Sequence, residues 1–267
     1  MKSIHIEGTG SVARTLAPLL PLSGFSVTVG GRNQVAAGAI ATASGVHLLE
    51  SAAPIKADVV LILVRDDAIE SVATQLVSRL SSGTCVLHAS GFHGCEVLAP
   101  LAGMGCPAGW LHPLGSFSGQ KSIQWLLGLT WCLGGDGQAL VSAEQIVEHL
   151  GGQSFLLADH PGAKARYHAA ASLLAGGTAA LFDLAEQLIG EDLSESTALR
   201  QGFVQLLSSV VAQTGHEGPR AALTGPAARG DEAVLEGHLA EMDPFTQKLY
   251  SQLIEHMQRM ARERDQG

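Results

Sequence analysis

Through the first 160 residues, short apolar runs of strand length alternate with stretches in which apolar side chains return every three or four positions. Ile4 to Glu7, Phe25 to Val29, Asp58 to Val64, Thr84 to Leu87, Leu129 to Leu133 and Ser154 to Leu157 read as strands. Between them Val12, Leu16 and Leu19, then Ile69, Val72, Ala73 and Leu76, then Ala143 to Leu150, fall at helical spacing. Asp58 to Val64 is almost continuously apolar, as expected of a central parallel strand covered on both faces. The alternation predicts an α/β fold with a doubly wound, mostly parallel sheet. After Asp159-His160-Pro161-Gly162 the strand pattern stops. Lys164 to Ile189, Thr197 to Gln213, Asp231 to Leu239 and Pro244 to Arg262 carry helical spacing, with Gly215 to Gly230 as one long loop. Two domains are therefore expected, 1–160 and an all-α 161–267.

Composition narrows the partner. The 267 residues carry a formal net charge of -9, so no basic stripe is available to neutralise nucleic-acid phosphates, and a small molecule is the expected ligand. Cys85, Cys95, Cys106 and Cys132 form no Cys-x-x-Cys pair, and the chain opens on a strand pattern rather than a basic leader. A reducing cytoplasmic setting is expected. The weakly charged run Ala169 to Phe182 is shorter than the roughly 20 residues of a bilayer span, so no membrane anchor is expected.

The strand Ile4 to Glu7 ends on Gly8-Thr9-Gly10-Ser11-Val12-Ala13 and a helix follows. A first glycine allows the tight turn, a second lets a pyrophosphate reach the backbone, and a small residue in third place lets the helix pack on the strand. That is the Rossmann dinucleotide turn, with phosphate at the helix N-terminus. In NAD-binding versions an acid about 20 residues on takes the ribose hydroxyls; here Gly30-Gly31-Arg32-Asn33 stands there. With no carboxylate to repel it and a guanidinium to grip it, an adenosine 2′-phosphate is the natural ligand, so NADP(H) is expected. The other use of Arg32 is as a solvated loop charge. Cofactor contacts are assigned to Gly8, Thr9, Gly10, Ser11, Val12, Gly31, Arg32 and Asn33, and to the strand ends Val64, Arg65 and Ser90. Glu7, just before the turn, and Pro18, inside the helix, depart from the usual pattern; the proline predicts a short or kinked helix. Asp66 and Asp67 are expected to cap the helix after the third long strand.

Hydride transfer to a carbonyl or imine needs a proton donor and a grip on any substrate carboxylate. Lys164 and His168 are four apart on one helix face at the start of the second domain, where an interdomain cleft is expected. An unperturbed imidazole titrates at roughly 6.5, which favours His168 as the acid and leaves Lys164 to hold an anion, unless desolvation lowers its pKa. His112 and Ser116, in a Pro- and Gly-rich loop, are further candidates, His112 for catalysis and Ser116 for substrate. Thr224 and Arg229 suit an anion-facing loop, with Asp231 as N-cap of the next helix. A zinc site among Cys85, His88, His93, Cys95 and Cys106 lacks the short fixed ligand spacing such sites use, and no metal is expected.

The chain resembles the two-domain NADP oxidoreductases related to ketopantoate reductase, pyrroline-5-carboxylate reductase and the 6-phosphogluconate dehydrogenase superfamily. Leu223-Thr224-Gly225-Pro226-Ala227-Ala228-Arg229-Gly230-Asp231, Trp110 to Phe117 and Lys164 to His168 resemble a subgroup that joins a Rossmann-like domain to a helical domain of unknown function. The resemblance spans essentially the whole chain and implies an oxidoreductase, acting on a small keto or imino acid, that dimerises through its helices. Ala169 to Leu188 is apolar enough to fit that role. Relatives carry Ser-Asn about two turns beyond the position of His168, where this chain has Gly176-Gly177. A non-catalytic NADP(H)-binding regulatory protein is the alternative.

Overall fold

Eight strands form one sheet: β1 (Ser3–Glu7), β2 (Ser26–Gly30), β3 (His47–Leu48), β4 (Val59–Ile62), β5 (Cys85–His88), β6 (Ala108–Pro113), β7 (Thr130–Gly135) and β8 (Gln153–Leu156). Their order is β3-β2-β1-β4-β5-β6-β7-β8, every pair parallel except β6 with β7. The computed structural model describes residues 3–118, 122–157, 160–190 and 197–266; Asp159, at the expected domain boundary, lies outside them. The chain divides into two compact units, 1–174 and 175–267.

In the first unit the doubly wound α/β Rossmann architecture follows from strands that are apolar on both faces. Along β4, Val59 and Leu61 enter a core shared with Leu16 and Leu20 of α1 (Ser11–Leu22) and Ile146 of α6 (Gly137–His149). Val60 and Ile62 enter the opposite core with Ile69 and Leu76 of α3 (Ile69–Leu76) and Leu101 of α4 (Ala99–Ala102). Strand order reverses between β1 and β4, and at such a switch point the carboxyl ends of the strands open a crevice.

Several local expectations give way. β6 was expected to be loop: Ala-Gly-Trp-Leu-His-Pro is broken by glycine and proline, yet it pairs on both sides, and Pro113 sits at its end where no ladder bond is lost. The sheet is mostly parallel, as expected, with β7 against β6 as its one antiparallel pair. α1 continues through Pro18 and Pro21 to Leu22 rather than stopping short. Asp66 and Asp67 start a single turn at Asp66–Ala68 without capping α3 by their side chains; Asp67 pairs with Arg65 instead.

α7 (Ala163–Ile189) starts in the first unit and continues into the second. By length and composition it is the one helix among the described residues able to cross a membrane, with mean hydropathy 1.2 in its most apolar window. The run Ala169 to Phe182 understated that length. The second unit also contains α8 (Thr197–Glu217), α9 (Pro219–Ala222), α10 (Pro226–Arg229), α11 (Glu232–Ala240) and α12 (Pro244–Asp265). The expected loop 215–230 thus holds two short helices, each opened by a proline at its first position. Ala227, Leu235 and Ile254 form the small core of this unit.

Candidate functional site

At the switch point, Gly8, Thr9, Gly10, Gly31, Arg32, Asn33, Val64 and Arg65 line one cavity of about 540 Å³. Gly8 has φ +143, and a Cβ there would overlap the carbonyl oxygen of Leu63, so only glycine fits this turn. Gly10 is the N-cap of α1 and supplies no side-chain cap, which leaves the first amides of a twelve-residue helix facing the cavity end of the turn. Ala13 is fully buried, closing the helix onto the sheet. The residues therefore fit a dinucleotide: a turn no side chain fills, a free helix N-terminus, and an exposed guanidinium at Arg32 beside Gly31. Ser11 and Val12 form the first turn of α1 without lining the cavity. Asn33 caps α2 (Gln34–Ser44), its Oδ1 accepting from the Ala36 amide at 3.0 Å, so only its remaining groups face a ligand. The Arg65 guanidinium is engaged by Asp67.

Glu7 also lines the cavity, and its charge is balanced from below. Arg79 Nη1 donates to Glu7 Oε2 at 3.2 Å, His5 Nε2 lies 3.2 Å from the same oxygen, and His5 Nδ1 is 2.8 Å from Thr28 Oγ1. Arg79 also donates to the carbonyl of Ala53 at 3.0 Å. A carboxylate that would repel phosphate is thus held in a buried ion pair, which accounts for its place before the turn.

The second cluster follows from strand register. Ile62 pairs with His88 and His88 with Trp110; Val64 and Ser90 follow two residues beyond the ends of β4 and β5, while His112 is still within β6. Lys164 Nζ, from the first turn of α7, donates to the Ser90 carbonyl at 2.8 Å and lies 4.4 Å from the centre of the Trp110 ring. Burial lowers its pKa from 10.5 to about 8. Tyr167 Oη is 2.6 Å from His112 Nδ1; burial raises the phenol's pKa, and burial with the nearby Lys164 charge takes His112 down to about 4. At neutral pH His112 is uncharged and Tyr167 keeps its proton. The His168 ring stands edge-on to His112 with centroids 6.0 Å apart and packs near Phe92. Lys164 also forms part of the wall of a cavity of about 670 Å³ with Phe92, Cys95, Glu96, Trp110 and Leu156.

Lys164, His168, His112 and Ser90 therefore meet within the first unit, while Gly8 to Gly10 and Gly31 to Asn33 share the crevice. Ser90 is buried and lies outside that cavity's lining. Ser116 is exposed, its hydroxyl 3.2 Å from that of Ser118. Thr224 and Arg229 belong to the second unit. Arg229 Nε and Nη2 both donate to Asp231, which therefore serves as ion-pair partner and makes no side-chain cap for α11. Sequence reasoning missed Tyr167 and Trp110, although both lay inside quoted motifs; an aromatic next to a candidate acid was the available signal. Among the described residues no group of three or more His, Cys, Asp or Glu could hold a metal ion.

Residues 1–98 match the NADPH-binding domain of acetohydroxy acid isomeroreductase, and residues 129–257 match a domain of unknown function, DUF2520. Two domain models thus match, one in each half of the chain and each over less than half of its length. Its cofactor is NADP(H). No curated protein matches the chain. Among solved structures, BF3122 of Bacteroides fragilis, assigned as an NADP oxidoreductase, is 22% identical, with 97% of this chain and 98% of that one covered at TM-score 0.80. TM1727 of Thermotoga maritima is 23% identical over 98% and 99% at TM-score 0.75. A reductive aminase of Aspergillus terreus, solved with NADPH and ethyl-5-oxohexanoate, is 19% identical over 97% and 94% at TM-score 0.68. At these identities the likeness is one of fold.

Proposed function

We propose that this NADPH-binding oxidoreductase reduces the carbonyl or imine carbon of a small keto or imino acid-like substrate, with Lys164 as the proton donor. The observation that carries the reading is the half-buried ammonium of Lys164, fixed on the carbonyl of Ser90 two residues beyond the end of β5. A ketone ligand in the reductive aminase of the same fold supports the substrate class. Bound NADPH supplies the hydride. Lys164, charged below about pH 8, gives the product oxygen or nitrogen its proton and attracts a substrate carboxylate before that. Neutral His112, hydrogen-bonded to Tyr167, adds a polar but uncharged neighbour to the lysine. Of the two residues that share this helix face, Lys164 takes the role because burial brings the lysine into the working range.

The test is NADPH oxidation across a panel of keto acids and ketones, with and without ammonia or a primary amine. Wild type should turn over at least one, and Lys164→Met should lose about 10²-fold or more while still binding NADPH. Unchanged turnover in Lys164→Met removes the lysine from this role. NADPH binding with no turnover of any panel member supports the regulatory alternative.

We infer also that a second copy of the chain covers the apolar faces of α7 and α8. Leu173, Leu174 and Leu181 on α7, and Val204, Leu206 and Val211 on α8, are exposed, a display that a soluble monomer rarely tolerates. A bilayer suits α7 less well, because Asp183 and Glu186 interrupt its second half. Light scattering should give twice the chain mass at micromolar concentration; a monomer, or a protein that stays in solution only with detergent, contradicts this.

A further inference from the structure

His88 reaches neither cavity, yet the turn that organises the second cluster depends on it. The ring is fully buried at the end of β5, and both its nitrogens have partners of fixed character. The Ser90 amide donates to Nδ1 at 3.1 Å, and Nε2 stands 2.8 Å from the Gly94 carbonyl. An amide N–H only donates and a carbonyl only accepts, so the ring presents a lone pair at Nδ1 and a proton at Nε2. That is the neutral imidazole in a single tautomer. A second proton would break the Ser90 bond and add a cation near Lys164; burial opposes it most, bringing the pKa to about 4.

From this anchor the turn is fixed group by group. Ser90 Oγ accepts from the amides of Phe92 at 3.1 Å and His93 at 3.0 Å. The Ser90 carbonyl is left to accept from Lys164. Gly91 then passes between two histidines, where a Cβ would come within 2.8 Å of His112 Nε2 and 2.6 Å of His168 Cδ2. Ser90 and Gly91 thus approach Lys164, His112 and His168 together.

We propose that His88 is the positioning residue of this site: its Nε2-protonated ring fixes the Ser90–Gly91 turn, which holds the Lys164 ammonium and spaces His112 from His168. The functional consequence rests on the reading of Lys164 as proton donor; the positioning itself does not.

Two measurements test it. Nitrogen NMR should show His88 protonated at Nε2, bare at Nδ1, and without a titration between about pH 5.5 and pH 8. The opposite tautomer, or a midpoint at the ordinary 6.5, overturns the proposal. The Lys164 midpoint is then followed by methyl NMR of reductively methylated protein, with Lys164→Met assigning the resonance. In His88→Leu, water enters the loosened turn and the midpoint should rise from about 8 toward 10.5, while NADPH affinity stays within about twofold. His88→Asn, which keeps an acceptor for the Ser90 amide, should return the midpoint at least part of the way. A midpoint that stays near 8 in both variants, with NADPH still bound, overturns the proposal. Should His88→Leu fail to fold, the tautomer and the Asn variant decide. If Lys164→Met keeps turnover while His88→Leu moves the midpoint, the proton-donor reading fails and the positioning claim stands.

Discussion

A lysine whose ammonium is disfavoured by folding weakens the folded state wherever it is charged, and Lys164 makes that effect measurable. Its folded midpoint, about 8, lies below the ordinary 10.5. Below the lower value both folded and unfolded chains hold the proton and the full cost is present. Between the two midpoints only the unfolded chain holds it, so stability climbs with pH. At about 1.4 kcal/mol per pKa unit the shift sets a ceiling of about 3 kcal/mol, of which about 2 kcal/mol falls between about pH 7 and pH 9.5. Water reaches part of this ammonium, so a rise of about 1 kcal/mol is the realistic expectation. Lys164→Met lacks the group, and the titrations of groups that do not feel the Lys164 charge are common to both proteins and cancel in their difference. Trp110, Trp125 and Trp131, the three tryptophans of the chain, all lie in the first unit, so their fluorescence during denaturant unfolding reports that unit alone. Wild type should gain on Lys164→Met as pH rises. A difference that is flat or falls over this range would refute the claim that burial lowers this lysine's pKa.

Two further substitutions probe the supports of the site. Arg79→Met leaves the Glu7 carboxylate buried with His5 as its remaining neighbour and should cost about 3–5 kcal/mol in the same unfolding assay; a loss under about 1 kcal/mol would mean that the ion pair is solvated. Gly134→Ala puts a methyl group into the Trp110 indole and should cost about 1–3 kcal/mol and shift the tryptophan emission, whereas an unchanged spectrum and stability would show that the indole has room to move.

The sheet was largely legible because its strands are buried on both faces, so Val59 to Ile62 and Cys85 to Leu87 announce themselves by unbroken apolarity. β6 was not, since its stability comes from partners on both sides and from Trp110 lying on Gly134, neither of which leaves a periodic trace. The reversal of β7 was equally hidden: strand direction depends on the connection, not on the residues of the strand. The glycine turn and Arg32 were readable because backbone conformation and charge are local properties. The second cluster was readable only in part. Lys164 and His168 share a helix face by spacing, but their meeting with His112 depends on register across β4, β5 and β6, and the depressed lysine pKa depends on burial that no spacing encodes. Glu7 looked anomalous for the same reason, its neutralising Arg79 lying 72 residues away.

The glycine turn and Arg32 are proposed to select NADP(H) together. Calorimetric titration of NADPH and NADH into wild type and Arg32→Ala tests it most directly. Loss of charge-assisted bonds worth about 1.5–3 kcal/mol should weaken NADPH about 10- to 100-fold in the variant, while NADH, with no 2′-phosphate to lose, changes little. Equal affinity of wild type for the two cofactors, or an equal loss for both in Arg32→Ala, would contradict the account.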